Sequence, residues 1–201
     1  MIKNVVFDLG NVLVEFDPVE YLDTFGLDEE LKDKLYDIIF SERWNRYDRG
    51  DYPTIADLRA ALCKEFPKYE NEFSRILQPS WVKIHRVKTE TAEYLYELKR
   101  RGYKVFILSN LSSDSYEYLK DFEFIKCIDG GVFSYQERAC KPEEKIYRVL
   151  LERYNLNADE TVFLDDKPEN IKVAESLGIN GIVFTDIKQA KNQLEEMLKG
   201  K

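Results

Sequence analysis

Short runs of apolar residues alternate with amphipathic stretches along most of this chain. Four runs have the length and residue types of buried strands, at residues 3–7, 103–108, 161–164 and 182–184. The stretches between them carry apolar residues at helical spacing, and Gly102 ends one of these stretches. Short, continuously apolar strands between helices are typical of a parallel sheet covered on both faces. The pattern therefore predicts an α/β fold with a three-layer, doubly wound parallel sheet.

The segment between the first and second predicted strands has a different pattern. It contains no convincing strand, and helices are predicted after two N-cap candidates, Asp28 and Thr54. We therefore predict a helical domain of residues 16–85, inserted into a core domain that comprises residues 1–15 and 86–201.

A connector within this insertion, at residues 41–53, is rich in arginine and aromatic residues. Two interpretations have about even support. It is a solvated connector with one buried tryptophan, or it is a substrate-selecting loop, because binding loops favour this composition. In the second case Trp44 and Arg46 are candidate substrate-binding residues.

The composition is that of a soluble globular protein and limits the classes of partner. The chain has 201 residues, of which 34% are charged and 44% hydrophobic, and its net charge is -8. A net acidic surface opposes binding to nucleic acid, and the apolar runs are too short to cross a bilayer. The N-terminus lacks the basic region and long apolar stretch of a signal peptide. We therefore expect a cytoplasmic monomer or weak homodimer without nucleic-acid or membrane partners.

Histidine and cysteine are scarce, which argues against several mechanisms. The chain has a single histidine, His85, whereas serine and cysteine hydrolases generally need a histidine base and zinc enzymes usually need several ligands. His85 is expected to mark a hinge or to pack in the interior. The three cysteines form no CxxC pair and are expected to be reduced thiols.

Polar residues follow the predicted strands at the points where the strands end. Asp8 follows the first, Ser109 and Asn110 follow the second, and the pair Asp165 and Asp166 follows the third. The carboxyl ends of parallel strands converge on one crevice, so we expect these residues to meet there. Adjacent carboxylates repel each other and favour a bound cation. The acidic cluster suits Mg²⁺, which takes few protein ligands and also binds substrate phosphate.

Neutral donors and one cation complete the same predicted site. Lys141, which precedes a proline, supplies a positive charge. Ser109 and Asn110 add hydrogen-bond donors, and backbone N–H groups after Asp8 can line an oxyanion cradle. Together these groups suggest phosphoryl transfer, with a small phosphorylated metabolite as the partner.

In this order the motifs resemble those of the haloacid dehalogenase (HAD) superfamily of hydrolases over the whole chain. The matching segments are Phe7-Asp8-Leu9-Gly10-Asn11-Val12, Leu108-Ser109-Asn110, Lys141-Pro142 and Phe163-Leu164-Asp165-Asp166. The resemblance implies a magnesium-dependent phosphatase whose inserted helical cap closes over small substrates and excludes water.

The resemblance also implies catalytic roles for three residues. Asp8 is implied to be the nucleophile that forms an aspartyl-phosphate, while Ser109 and Lys141 hold the phosphoryl group. The candidate substrate-binding residues are then Leu9, Gly10, Asn110, Trp44 and Arg46.

A metal site follows from the same resemblance. Asp8, Asp166 and the backbone carbonyl of Gly10 are implied to bind Mg²⁺. Asp165 is implied to contact the metal directly or through water.

Position 10 departs from many phosphatases of this superfamily, which carry a second aspartate there as general acid and base. With Gly10 in its place, the chemistry could lose about 10²- to 10⁴-fold in rate. The variant motif, together with residues 46–50 and 140–143, resembles the bacterial glucose-1-phosphate phosphatase branch. That resemblance implies an active sugar-phosphate phosphatase, because an anomeric oxygen needs less protonation on leaving than an ordinary alcohol.

Two other functions stay open on the sequence alone. A 2-haloacid dehalogenase shares the fold and the nucleophile, but it needs no metal, and Asp165 with Asp166 would repel a carboxylate substrate. A catalytically impaired binding or regulatory protein could keep the fold without turnover, because fold does not determine function. The retained motifs favour an active phosphatase over both.

Overall fold

The computed structural model describes residues 1–199, so the last two residues of the predicted core segment 86–201 lie outside the described part. Its strands are β1 (Asn4–Phe7), β2 (Val14–Glu15), β3 (Arg86–Val87), β4 (Lys104–Ser109), β5 (Gly130–Phe133), β6 (Thr161–Asp165) and β7 (Asn180–Val183). Its helices are α1 (Pro18–Asp23), α2 (Glu29–Ile39), α3 (Glu42–Asp48), α4 (Ile55–Glu65), α5 (Glu70–Ile76), α6 (Thr89–Arg100), α7 (Ser113–Leu119), α8 (Glu123–Cys127), α9 (Ser134–Glu137), α10 (Glu144–Arg153), α11 (Pro168–Ser176) and α12 (Ile187–Leu198). Among residues 1–199, no helix combines the length and apolar character needed to cross a membrane.

Five of the strands form one parallel sheet in the order β5-β4-β1-β6-β7. The central strand β1 pairs with β4 and β6, so that Phe7 lies opposite both Ile107 and Leu164. Successive side chains of a strand point to opposite faces, and accordingly Val5 and Phe7 pack in one apolar cluster while Val6 packs in another. Helices α6 and α12 cover the first face, and α10 and α11 cover the second. The predicted α/β fold with a doubly wound parallel sheet is confirmed.

The edge strand β5 is not predicted from the sequence, because its first two residues are glycines. Gly130 and Gly131 have no side chains to form an apolar pattern. Tyr154 fills the space where a Gly130 side chain would lie, and Phe133 fills it at Gly131. The Tyr154 hydroxyl accepts a hydrogen bond from the Gly131 N–H at 2.9 Å and donates one to the Gly131 carbonyl at 3.0 Å. A tyrosine after α10 therefore completes this edge of the sheet.

A proline in the first turn followed by apolar residues at helical spacing predicts a helix that begins at Pro142, but the helix begins later, at Glu144. A tight turn occupies the intervening residues. The Glu143 N–H donates to the Cys140 carbonyl at 2.7 Å, and the Glu143 carboxylate accepts from the Cys140 N–H at 3.1 Å. The Lys141–Pro142 peptide bond within this turn is cis. The turn, rather than a helix, therefore presents Lys141 to the sheet edge.

The insertion (residues 16–85) is joined to the core by a two-stranded antiparallel ribbon. Strand β2 leads into the insertion and β3 leads out of it, with Val14 opposite Val87. Helices α1 to α5 enclose an apolar cluster separate from those of the sheet. Asp28 caps α2, and Thr54 caps α4, as their side chains accept hydrogen bonds from helix N–H groups.

Candidate active site

The carboxyl ends of β1, β4 and β6 face the insertion across a cavity of about 420 Å³. Residues from both sides line it, as expected at this edge of an open α/β sheet. The core side of the cavity, here called the floor, is lined by Asp8, Leu9, Gly10, Asn110, Lys141 and Asp166. The insertion side, here called the roof, is lined by Phe16, Tyr36, Phe40, Trp44, Trp81 and His85. The floor is polar and charged, whereas the roof is mostly aromatic.

The Lys141 ammonium group lies at the centre of the floor. Its Nζ lies 2.7 Å from Asp8 Oδ1 and 2.7 Å from Asp165 Oδ2, and it donates to the Leu108 carbonyl at 3.0 Å. These contacts use all three of its donors. Burial alone would lower the pKa of Lys141, but the attraction of the two carboxylates outweighs burial and raises that pKa. The side chain is therefore a fixed cation at neutral pH.

Asp165 is fully buried at the end of β6, and several donors hold its carboxylate. Oδ1 accepts from the Lys167 N–H at 2.8 Å and from Asn170 Nδ2 at 2.9 Å. Oδ2 accepts from Asn170 Nδ2 at 3.0 Å and from Lys141. A carboxylate has about four acceptor positions, so Asp165 is occupied in orienting Lys141. The contact of Asn170 with Asp165 is not predicted from the sequence, because a polar residue near the start of a helix more commonly faces solvent.

The carboxylates around the floor suit Mg²⁺. One oxygen each from Asp8, Asp165 and Asp166 lie within 4.8 Å of one another. Asp166 is partly exposed, and its Oδ2 accepts a hydrogen bond from Asn11 Nδ2 at 3.2 Å, which leaves acceptor positions free. Hard carboxylate oxygens beside space for water and phosphate are the ligands Mg²⁺ prefers. The donor set fits the ion, with Asp8 and Asp166 best placed to bind it directly.

Asp8 is buried directly after β1, between donors. Its Oδ1 accepts from the Leu9 N–H at 2.7 Å and contacts the Lys141 ammonium group. Burial raises the pKa of Asp8 to about 7, Lys141 opposes this effect, and Asp165 adds to it. A bound cation favours the ionised form of a carboxylate. The ion that the floor suits would therefore also keep Asp8 ionised.

Leu9 and Gly10 continue the floor after Asp8. The Leu9 side chain is buried and its N–H is used by Asp8, so Leu9 acts mainly through its backbone. Gly10 is not one of the glycines with positive φ, and a Cβ added there would have no heavy atom within 4 Å. Neither the backbone nor packing therefore requires glycine at this position.

Ser109 and Asn110 follow one another at the end of β4 but have different surroundings. Asn110 lines the cavity, and its amide clamps the main chain of Lys141. Its Oδ1 accepts from the Lys141 N–H at 2.7 Å, and its Nδ2 donates to the Lys141 carbonyl at 3.0 Å. The buried Ser109 hydroxyl donates to the Asn110 carbonyl at 3.3 Å and lies outside the cavity lining formed by residues 1–199. Ser109 would have to rotate to reach a phosphoryl group, whereas Asn110 positions the lysine.

Trp44 and Arg46, the candidates from residues 41–53, also differ in position. Trp44 lines the roof, and its ring packs edge-on against Trp81 with centroids 4.9 Å apart. The Arg46 guanidinium pairs with Asp51 at 3.3 Å and lies outside the cavity lining formed by residues 1–199. The connector therefore contributes an aromatic wall, while the arginine is engaged in local structure.

His85, expected at a hinge or in packing, is buried in the roof. Its ring stacks on Phe16 with centroids 5.6 Å apart, and Nε2 lies 3.0 Å from Ser115 Oγ. Nδ1 has no hydrogen-bond partner within residues 1–199. Burial lowers the pKa of His85 to about 4, so the ring is neutral near pH 7.

Asp48 is a cavity residue that the sequence does not single out. It is the last residue of α3 and lines the cavity from the insertion. Burial raises the pKa of Asp48 to about 7, against the opposing effects of Lys167 and the Ser112 N–H, and Asp8 adds to the rise. In the sequence it stands among arginine and aromatic residues, where an acidic residue normally belongs to a solvated surface. Only the fold shows that it faces the floor.

Comparison with known proteins places this geometry among related enzymes. The model of a family described as haloacid dehalogenase-like hydrolase matches residues 2–178. The chain is 28% identical to the sesquiterpene phosphatase astK of Aspergillus oryzae, over 98% of this chain and 96% of that protein. It is 26% identical to the D-ribitol-5-phosphate phosphatase of Bacteroides thetaiotaomicron, over 89% of each.

One similar solved structure is a complex with magnesium. The HAD family enzyme of Bacteroides thetaiotaomicron in its magnesium complex superposes with a TM-score of 0.70. The two chains are 25% identical, and the match covers 91% of this chain and 93% of that one. The parallel sheet with its helices is thus shared with an enzyme crystallised with magnesium.

Proposed function

The chain belongs to the haloacid dehalogenase-like hydrolases, and we propose that it hydrolyses small phosphomonoesters through a phosphorylated Asp8. It is a phosphatase of this family, and its cofactor is Mg²⁺. The observation that carries the proposed mechanism is the Lys141 ammonium group, held between Asp8 and Asp165 at the floor of the cavity.

In the proposed reaction Asp8 attacks the phosphorus atom with one carboxylate oxygen. Lys141 stays charged and lies beside that oxygen, so it stabilises negative charge on the phosphoryl group as the bond forms. Asn110 and Asp165 keep the lysine in place through its main chain and its ammonium group. Water then cleaves the aspartyl-phosphate and releases phosphate.

Asp8 and Asp166, with the Gly10 carbonyl, are proposed to hold the cation. When bound, Mg²⁺ neutralises charge on the phosphoryl oxygens and orients them. Asp165 is proposed to contact the metal through water, because its acceptor positions are occupied by protein donors.

The substrate class is proposed from the roof and from the resemblance noted above. Sugar phosphates such as glucose 1-phosphate fit the resemblance to the glucose-1-phosphate phosphatase branch and the chemistry of a good leaving group. Phosphates of apolar alcohols are a second candidate class, favoured by the aromatic roof residues Phe16, Phe40 and Trp44. One relative in the comparison, the Aspergillus protein, is a sesquiterpene phosphatase.

The proposal is tested by phosphate release from a panel of phosphomonoesters that contains both substrate classes. Wild-type protein should be active with Mg²⁺ and inactive after chelation. Asp8→Asn should lose activity by about 10⁴-fold or more, because it removes the nucleophile. Asp121→Asn is the matched control, since it makes the same change at an exposed site, and it should behave as wild type.

Two results would contradict the proposal. Full activity after thorough chelation, or halide release from a 2-haloacid, would favour the dehalogenase alternative. Folded protein without turnover of any phosphomonoester would favour a binding or regulatory role.

A further inference from the structure

Release of an ordinary alcohol from a phosphate ester needs a proton donor, because an alkoxide is a poor leaving group. The floor offers no such donor among the groups described above. Asp8 is the attacking group and Lys141 is a cation held by three acceptors. Asp165 is occupied, and Gly10 has no side chain. The donor must therefore come from another wall of the cavity.

Four titratable residues of the insertion line the cavity, Asp17, Tyr36, Asp48 and His85. Asp17 is exposed and its carboxylate caps α1, and Tyr36 is also exposed, so both are less shielded from water than Asp48 and His85. His85 is a poor acid near pH 7, because burial keeps it neutral and its Nε2 is engaged with Ser115. Asp48 remains. We propose that Asp48 is the general acid and general base of this enzyme, an inference that rests on the proposed phosphatase function.

The position of Asp48 relative to Asp8 suits this role. In phosphoryl transfer the attacking and leaving oxygens lie roughly in line on opposite sides of phosphorus. Asp8 attacks from the floor, so the leaving oxygen must face the insertion. Asp48 lines the cavity from that side. The leaving oxygen and the Asp48 carboxyl group are therefore brought to the same part of the cavity.

Contacts between the insertion and the core hold Asp48 in place. The Ser134 hydroxyl donates to the Asp48 carbonyl at 2.5 Å, and the preceding residue, Tyr47, donates from its hydroxyl to Asp114 at 2.6 Å. These bonds engage the main chain and the neighbouring side chain, while the Asp48 carboxyl group lines the cavity and the Ser112 N–H approaches it. A rigidly placed carboxyl group is what proton transfer requires.

Burial raises the pKa of Asp48 to about 7. Lys167 and the Ser112 N–H lower this pKa, Asp8 raises it and Lys141 lowers it. The Cys140 thiol also lies nearby, and burial raises its pKa, so it stays neutral. A carboxyl group with such a pKa can give a proton in one step and take one in the next.

The proposed cycle balances in atoms and charge. As the Asp8 oxygen bonds to phosphorus, the bond to the alcohol oxygen breaks, and that oxygen takes the proton of Asp48. Asp48 is then a carboxylate. It accepts a proton from a water molecule whose oxygen attacks the phosphorus of the aspartyl-phosphate, and the bond to Asp8 breaks. Phosphate leaves, and Asp48 is protonated again.

The test compares 4-nitrophenyl phosphate with 4-nitrobenzyl phosphate in single-turnover reactions of the full chain with Mg²⁺. The two esters share a ring, but only the benzyl alcohol needs protonation to leave. Asp48→Asn should slow release of the benzyl alcohol by about 10²- to 10⁴-fold and change release of nitrophenol by less than about tenfold. Asp51→Asn, in the turn after α3, is the matched control and should change neither rate.

Two further measurements separate the acid role from a structural one. With excess 4-nitrophenyl phosphate, Asp48→Asn should show a burst of about one nitrophenol per site, because the base for the second step is missing. In wild-type protein, benzyl alcohol release should fall relative to nitrophenol release as the pH rises through about 7, where Asp48 loses its proton. This ratio is measured on wild-type protein, so it does not depend on whether the variant folds. The titration of Asp8 changes both release rates alike and therefore cancels in the ratio.

The outcomes distinguish this inference from the proposed function. Equal slowing of both esters in Asp48→Asn, or a rate ratio independent of pH, would overturn the role of Asp48 while the phosphatase function stands. Absence of turnover of either ester by wild-type protein would instead remove the phosphatase function itself. A wild-type enzyme that turns over both esters at similar rates, together with selective slowing in Asp48→Asn, supports the inference.

Discussion

The floor and the roof of the cavity differ in how completely their polar groups are hydrogen-bonded. Lys141 of the floor and the buried Asp165 that it contacts use nearly every donor and acceptor position they have, and all their partners belong to the core. In the roof, aromatic rings pack against one another, and His85 Nδ1 and Trp81 Nε1 have no hydrogen-bond partner within residues 1–199. A saturated network fixes one arrangement of charges, whereas an aromatic surface accepts many shapes. Under the proposed function, the floor would therefore hold the nucleophile and the charges around it, and the roof would select the substrate.

The largest effect is expected from breaking the floor network at Lys141. Lys141→Ala leaves Asp8 and Asp165 buried without their cation, which should cost about 3–5 kcal/mol of stability. It should also lower kcat by on the order of 10²- to 10³-fold, because the charge is used as the phosphoryl group is transferred. Urea unfolding and steady-state kinetics measure the two effects.

The control for this variant is Lys145→Ala, which removes an exposed lysine from the same stretch of chain. It should change neither property appreciably. An unchanged kcat with a raised KM in Lys141→Ala would mean that the lysine binds the ground state and transition state equally.

A smaller effect, confined to binding, is expected in the roof. Tyr36 is partly exposed on α2, and its ring lies 5.7 Å from that of Phe40. Tyr36→Ala should raise KM by about threefold to tenfold for phosphates of apolar alcohols, because it removes part of the aromatic surface, and should leave kcat nearly unchanged.

An equivalent aromatic pair on the core provides the control. Tyr118 and Phe122 have the same spacing in sequence, with ring centroids 5.3 Å apart, and lie outside the cavity lining formed by residues 1–199. Tyr118→Ala should have the same cost in stability without the change in KM. A fall in kcat in Tyr36→Ala would show that the roof also takes part in the chemical step.

The last effect is confined to stability and concerns its pH dependence at His85. Burial lowers its pKa from 6.5 to about 4 in the folded state, so between these values the unfolded chain binds more protons. Stability is therefore present above pH 6.5 and is lost as the pH falls towards 4. Between pH 7 and 5 this loss should be about 2 kcal/mol for the single histidine.

His85→Gln keeps a hydrogen-bonding group near Ser115 and removes the titration. The difference in unfolding free energy between pH 7 and pH 5 should be smaller by about 2 kcal/mol in this variant, as measured by urea denaturation at both pH values. An identical difference in both proteins would mean that protonated His85 is accommodated in the folded roof.

The elements with clear periodicity could be predicted from the sequence, because their packing follows from local pattern. The central strands and the helix after Asp28 are examples. Strand β5 could not be predicted, because its two glycines give no apolar pattern. The residue that completes this edge, Tyr154, hydrogen-bonds Gly131 from 23 residues away in the sequence. Helix α10 begins later in the chain than the pattern predicts, for a similar reason. The turn closed by Glu143 depends on the tertiary placement of Lys141.

The residues of the candidate site also fall into those that could be predicted from the sequence and those that could not. Asp8, Asp165 and Asp166 could be located from sequence, because a polar residue directly after a buried strand must lie at the sheet edge, and their oxygens do come together. Asn170 and Asp48 could not, because nothing local marks which polar residue of a helix faces a cavity. The placement of each depends on how one element packs on another.

The ribbon formed by β2 and β3 brings the two ends of the predicted insertion together. Val14 and Val87 face each other across two hydrogen-bonded strands, so the chain leaves the core and returns to it at neighbouring points. Closing a loop costs entropy that grows only slowly with loop length, so the core tolerates a long or a short excursion there at similar cost. Grafting a different helical segment onto these two strands, with the five-stranded sheet untouched, would replace the roof and keep Asp8, Lys141 and Asp166. Under the proposed mechanism, the new segment would also have to supply a carboxyl group in place of Asp48.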